Sequence, residues 1–388
     1  MPVQITLRAW AALWLCMLLH VLCAPAVAAE ACFQGASVLG EVSWAAQLGW
    51  DASTNVSQWT GLTCNSTTGT LSINLYNQDL SGSLPDAWSA LSQLSELNIS
   101  NCKLTGTLPS SWSTLEQLSS IALPENSLAG TLPDSWGSLT QLLYLDVGTN
   151  NITGTLPKSW SSMTQMQVLG LNNNQLKGGL PESWSNLTNL ARLYLGDNLL
   201  EGTLPESWSE CNSLSKLYLE ENLLVGTLPQ SWSALTSVAT VSLKMNSLSG
   251  TLPSSWAGLT KLTDMDVSSN RLDGTLPSAW AGLTQSLSLD MTCNMLTGTL
   301  PESWSNFTSL SSLSVSNNSI SGTLPSSWSA LTKLLVLDLK QNLLTGTLPE
   351  AWSDISSLAF VMDLSDNRLA GTLPSSWANL AQASHASN

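Results

Sequence analysis

The stretch "LTKLLVLDLKQNLLTGTLPEAW", from Leu331 to Trp352, carries the fold in miniature. Val336-Leu337-Asp338-Leu339-Lys340 alternates with period two, which places Leu337 and Leu339 inward and the other three outward on a short strand. Asn342 follows, and then Gly346 and Pro349 turn the chain, glycine by permitting backbone conformations that other residues resist, proline by fixing φ and withholding a donor. From the proline to the next strand, "PEAWSDISSL" is too short and too rich in serine for a full α-helix, so turns and 3-10 pieces are predicted.

The same phrase recurs along the chain. Its glycine returns in thirteen turns from Gly82 to Gly371, spaced by 24 residues with one 25-residue step at the end, which is the signature of a solenoid. Stacked turns bring their strands into a parallel sheet. Four residues before each glycine stands an asparagine: Asn126, Asn150, Asn174, Asn198, Asn222, Asn246, Asn270, Asn294, Asn318, Asn342 and Asn367, with Gln78 and Cys102 as the departures. An inward asparagine in every turn can satisfy the backbone groups freed where the strand turns away, forming a ladder. Loss of one rung is expected to cost about 1 to 3 kcal/mol through unpaired buried groups.

These spacings resemble the leucine-rich repeat, and "LxxLxLxxNxLxGxLP" resembles its 24-residue plant-type variety over about Leu71 to Leu380. The resemblance implies an α/β leucine-rich-repeat solenoid, a curved right-handed coil with a parallel β-sheet on the concave face and turns or 3-10 segments on the convex face. The variant with Thr after Gly and Trp three residues past Pro is similar to the promastigote surface antigen family of trypanosomatids. Members of that family are typically membrane-anchored after a Cys-rich and Thr-rich region, whereas here the last residues read "ANLAQASHASN". "WTGLTC" at Trp59 to Cys64 resembles the end of a plant-type N-terminal cap, although the second cysteine usual before the Trp is missing from "STNVSQW".

Before the repeats, Arg8 precedes the apolar run "AWAALWLCMLLHVLC" and then "APAVAAE", whose Ala26 and Ala28 fit a signal-peptidase site. The run is short for a bilayer span of about 20 residues. A signal peptide over 1–29, an N-terminal cap over 30–70, repeats over 71–380 and a tail over 381–388 without a recognisable cap or anchor are therefore expected. The product is expected to be secreted or extracellular at a cell surface, without direct membrane insertion. Removing a segment whose one charged residue is Arg8 takes the formal net charge from −15 to −16, which disfavours nucleic acid and anionic membrane as partners. Cys16 and Cys23 leave with the signal, and Cys32 and Cys64, which flank the non-repetitive segment, are expected to be bridged. Cys102, Cys211 and Cys293 sit inside the repeat grid, where a small buried apolar residue is the expectation.

Catalysis has little to work with. His20 lies in the signal and His385 near the end, so the repeats can assemble neither a Ser-His-Asp triad nor a His-rich metal site. Asp264 and Asp266 face outward from one strand, but an open sheet gives them no pocket to separate their pKa values. Asp266, Asp290, Asp338 and Asp363 form a column interrupted by Ser314, read as solvated acid rather than a calcium site. The chain is thus expected to be no enzyme and to need no cofactor or metal. The thirteen repeat tryptophans, Trp88 to Trp377, invite the idea of a sugar-stacking stripe, but regularly spaced aromatics usually pack, and a core role is expected.

If the scaffold is constant, information lies where turns differ. The four tyrosines, Tyr76, Tyr144, Tyr194 and Tyr218, are assigned to outward strand slots. Tyr194 and Tyr218 share one slot in adjacent turns, with Arg192 and Lys216 in the neighbouring column, Glu220 and Glu221 beyond and Lys244 one turn later. Tyr and Arg are common interface anchors, so Tyr144, Arg192, Tyr194, Lys216, Tyr218, Glu220 and Lys244 form the expected concave binding patch. Tyrosine's liking for half-exposed sheets is the plainer account. Sequons at Asn55, Asn65, Asn98, Asn151, Asn186, Asn306 and Asn317 are candidates for glycosylation, and Asn98 is placed centrally on a strand's outward face. Recognition of a protein or glycoconjugate through the concave face is the leading function, with a glycosylated coat or shielding antigen as the alternative.

Overall fold

In the computed structural model the described residues are Cys32, 36–50, 55–355 and 361–379, and the chain divides into two compact units, Met1–Asn150 and Asn151–Asn388. The expected signal peptide, with Cys16, Cys23 and His20, and the tail with His385 lie outside the described residues.

The first unit opens with 3-10 helices at Ala36–Glu41, Ala45–Leu48 and Val56–Gln58. Leu62–Asn65 then pairs antiparallel with Thr70–Asn74. Cys32 and Cys64 are joined by a disulfide with Cα atoms 5.8 Å apart. Four indoles fill the space beneath: Trp50 stacks on Trp59 at 5.6 Å and meets Trp44 edge-on at 5.5 Å, and Trp44 in turn meets Trp88 at 5.8 Å. Parallel strands Thr70–Asn74, Leu94–Asn98, Ser120–Ala122 and Tyr144–Asp146 follow in order.

The second unit repeats one design. Strands from Val168–Gly170 through Arg192–Tyr194, Lys216–Tyr218 and Thr240–Ser242 to Val361–Asp363 pair in parallel with each residue opposite its counterpart one turn later. The central residue of each strand up to Val336–Asp338, such as Leu193, Leu217 and Leu337, is buried, and Met362 in the last is half-buried. On the return path each proline is followed by a five-residue 3-10 helix, for example Glu206–Glu210 and Gln230–Ala234. Short strands around the glycine, among them Leu199–Thr203 and Leu223–Gly226, form a second parallel ribbon that the alternation pattern had not announced.

Three devices fix the coil. Asn198 Nδ2 donates to Leu171, Leu195 and Gly196 carbonyls at 3.0 to 3.2 Å, and its Oδ1 accepts from Leu176 N–H at 3.0 Å, so one buried amide ties two turns together. Asn222, Asn246, Asn270 and Asn342 repeat this pattern. Where Cys102 replaces the asparagine, its Sγ lies 2.9 Å from Leu75 O. Trp208, Trp232 and Trp256 are buried, lie nearly parallel to one another and donate their Nε1–H one turn back, to Pro181, Pro205 and Pro229 at 2.9 to 3.0 Å, with neighbouring rings 6.3 to 6.5 Å apart. Lastly, the repeat glycine is required by both dihedral and space. Gly226 has φ +84°, and a Cβ there would stand 2.8 Å from Thr203 Cγ2 of the preceding turn.

Candidate functional site

The residue eight places before each glycine ends the strand on its outward side, and most turns use it structurally. Asp266 Oδ1 accepts from Ser268 N–H, Asp290 from Thr292, Asp338 from Lys340 and Asp363 from Ser365, at 2.9 to 3.1 Å. Asn98 does the same with Ser100, and Asp146 with Gly148. These are turns closed by a side-chain oxygen two residues back. The expectation of a solvated acidic column is thereby corrected. The carboxylates are half-buried strand terminators, and burial pushes Asp290 above the usual carboxylate range, with Asp266 and Asp338 adding to it against the Thr292 bonds.

Tyr194 and Tyr218 occupy this same slot, where no such bond is possible. Their rings stack with centroids 5.2 Å apart and planes 12° from parallel, and both are half-buried. Arg192 and Lys216, directly opposite one another in the strand register, start the two strands and are exposed. Two residues beyond Tyr218, Glu220 folds over the neighbouring turn at Gly196, where a Cβ would lie 2.6 Å from Glu220 Oε1. Glu220 Oε2 is buried with no hydrogen-bond partner. Burial raises the Glu220 pKa, and Asp197 raises it further, against Ser242 and Lys244. Asp197 is raised by burial and by Glu221, while Lys244 pairs with Glu221 at 3.7 Å. Tyr218 too is pushed up, first by burial and then by Tyr194 and Glu220.

The other expected residues scatter. Tyr144 belongs to the first unit and donates its hydroxyl to Asp146 at 3.2 Å. Tyr76 is not on a strand: Thr70–Asn74 ends two residues earlier, and Tyr76 stands exposed in the turn that follows. Asn98 is the last residue of its strand rather than central, and its Oδ1 also takes the Ser100 hydroxyl at 2.5 Å. The remaining sequon asparagines are exposed. Cys102 and Cys211 are buried as expected, but Cys293 is not: it sits half-exposed at φ +56°, in the left-handed slot five residues before the glycine that also holds Asp197, Glu221 and Met245.

Family models described as leucine-rich repeat match residues 116–176 and 308–369, and again 93–115, 261–283 and 361–380. A leucine-rich repeat protein of Leptospira interrogans is 30% identical, with 74% of this chain and 70% of that one covered and a TM-score of 0.64. The chain belongs to the leucine-rich repeat family. The leucine-rich-repeat ectodomain of the Arabidopsis receptor kinase HAESA, solved with an N-terminally extended IDA peptide hormone, is 30% identical over 90% of this chain and 60% of that one, with a TM-score of 0.78. An internalin of Listeria monocytogenes, 22% identical over 89% of this chain and 93% of that one with a TM-score of 0.67, shares the fold. This chain spans about three fifths of the length of the receptor structures it matches. Comparison with curated proteins gives no match.

On this leucine-rich-repeat scaffold the stacked Tyr194–Tyr218 pair stands between Arg192 and Lys216 on one side and Asp197, Glu220 and Glu221 on the other. Among the described residues no three His, Cys, Asp or Glu side chains are grouped to hold a metal ion, and no helix is long and apolar enough to cross a membrane. Sequence reasoning missed Gly196 and Asp197 at this site. Gly196 was legible in principle, because Glu220 and Lys244 fill the same slot in the next two turns. It also missed an apolar ridge of Leu199, Leu223 and Val225, exposed at 50%, 55% and 43%.

Proposed function

We propose that this leucine-rich repeat chain is an exported recognition protein, not an enzyme, that binds a protein or peptide on the strand face of its second unit. The observation that carries this reading is the stacked pair Tyr194 and Tyr218, standing where most other turns keep a strand-terminating Asp or Asn. Exchanging a local hydrogen bond for a half-exposed aromatic weakens the turn, and interface anchoring is the return on that loss. The HAESA ectodomain, at 30% identity, binds a peptide hormone, which supports a protein ligand over a glycoconjugate. Arg192, Lys216, Glu220 and Lys244 complete the contact surface, with Tyr144 a separate contact in the first unit. Residues 1–29 are read as a leader, 30–70 as a cap and 71–380 as the array.

Replacing Arg192, Tyr194 and Tyr218 together with alanine tests the reading. The secreted, folded variant is expected to lose capture of its partner when crosslinked to neighbouring cells, and unchanged capture sinks the proposal.

A second reading, a glycosylated surface coat related to the promastigote surface antigens, is favoured by six exposed sequon asparagines. It predicts glycan on those residues and a surface phenotype indifferent to the triple replacement.

A further inference from the structure

Along the strand direction, the outward residues of two adjacent turns change character in a fixed order. First come Arg192 and Lys216, which have no ion-pair partner among the described residues. Two positions on are the stacked rings of Tyr194 and Tyr218. Two further on are Gly196 and Glu220, followed at once by Asp197 and Glu221. A single cation, Lys244, lies against these three carboxylates, 3.7 Å from Glu221. At about 3.3 Å per residue, the basic column and Glu220 are roughly 13 Å apart, beyond the ~8 Å over which salt lets exposed charges feel each other, so they do not neutralise one another across the tyrosines.

We propose that this strip binds a dipolar peptide segment in one orientation: an acidic residue at Arg192 and Lys216, a flat or apolar residue on Tyr194 and Tyr218, and a basic residue at Asp197, Glu220 and Glu221. The proposal rests on the recognition reading above and adds the ligand's chemistry. An extended ligand spanning roughly 13 Å places its acid and base about four residues apart. The tyrosine faces carry the partial negative charge that favours a cation approaching Glu220 past Tyr218. Glu220 Oε2, buried without a partner, is the acceptor that an arginine or lysine N–H would satisfy once the side chain lifts off Gly196. Gly196 leaves open the space in which the Glu220 carboxylate now rests.

The experiment is selection of a displayed random heptapeptide library on the full-length secreted protein, followed by affinity measurement of synthetic winners. Winners are expected to carry an acidic and a basic residue about four positions apart around an aromatic or apolar one. Arg192→Glu with Lys216→Glu is expected to weaken them at least tenfold, and changing the peptide's acid to lysine to restore binding to that variant. Glu220→Gln is expected to weaken binding while circular dichroism stays unchanged. Winners that need Tyr194 and Tyr218 but carry charge of one sign, or that ignore the charge reversal, overturn the dipolar assignment and leave the recognition reading standing. Winners that bind the Tyr194→Ala, Tyr218→Ala variant equally well overturn the recognition reading itself, and a library yielding no winner overturns both for peptides of this length.

Discussion

The indole N–H of Trp232 donates to the carbonyl of Pro205, one turn earlier, at 2.9 Å. The ring therefore contributes in two separable ways, by filling the core and by satisfying a buried acceptor. Trp232→Phe keeps most of the packing and leaves the acceptor unpaired, an expected loss of about 1 to 3 kcal/mol. Trp232→Ala removes both and is expected to cost about 3 to 5 kcal/mol or more. Urea denaturation of the two variants measures the difference, and a phenylalanine variant as stable as the parent would show that the bond contributes nothing.

Glycine and threonine are coupled between turns. Gly226→Ala meets both a left-handed backbone, φ +84°, and Thr203 Cγ2 at 2.8 Å, so a loss above about 1 kcal/mol is expected. Thr203→Ser removes that methyl and is expected to recover part of the loss, the dihedral strain remaining. Strict additivity of the two changes in a double-mutant cycle would contradict the contact.

Glu220 gives the protein a pH signature. Its folded pKa is raised above the ordinary value of 4.5, chiefly by burial, so the folded state holds the proton more tightly than the unfolded one. Stability from this group is present below the unfolded pKa and is lost as pH rises through the folded pKa. Glu220→Gln is expected to match the parent near pH 4 and to exceed its melting temperature progressively above pH 4.5. Melting curves that stay parallel from pH 4 to pH 7 would refute this. The same replacement is the one expected to impair binding, which makes Glu220 a site where stability is given up for function.

The free thiols should separate cleanly. Cys211 is buried with its pKa pushed up to about 11, by burial and then by Glu210, and Cys102 is raised as well, whereas Cys293 is half-exposed. Iodoacetamide on the folded protein at pH 8 is expected to modify Cys293 first, with the other two reacting on denaturation. Mass spectrometry of the digested product reads the order, and early labelling of Cys211 would contradict its burial.

The coil was legible because its physics is repeated in every turn. Leu337 and Leu339 point inward by alternation, Asn342 by its fixed offset, and the 3-10 return path by the length of "PEAWSDISSL". The second ribbon at Leu199–Thr203 was not, since it is built from residues around the glycine whose period-two character is only one or two steps long. The aspartate column was misread for a related reason. Its charge is visible in one letter, but its use is a bond to the backbone two residues on, as from Ser268 to Asp266. Tyr194 and Tyr218 were visible as departures from the repeat, and so was Gly196 beside Glu220 and Lys244 in the same slot, but what Gly196 does lies in the space it leaves for Glu220.

Asn367 reaches back 28 residues to Leu339 O at 2.9 Å where earlier rungs reach 27, and it accepts from Leu344 N–H at 3.1 Å as they do from their own partners. The extra residue of the 25-residue step has left no mark on the rung. The protein measures its pitch from amide to amide rather than by counting residues, so the path between rungs can gain length while the strand face keeps its spacing. Val361–Asp363 accordingly keeps its parallel register against Val336–Asp338.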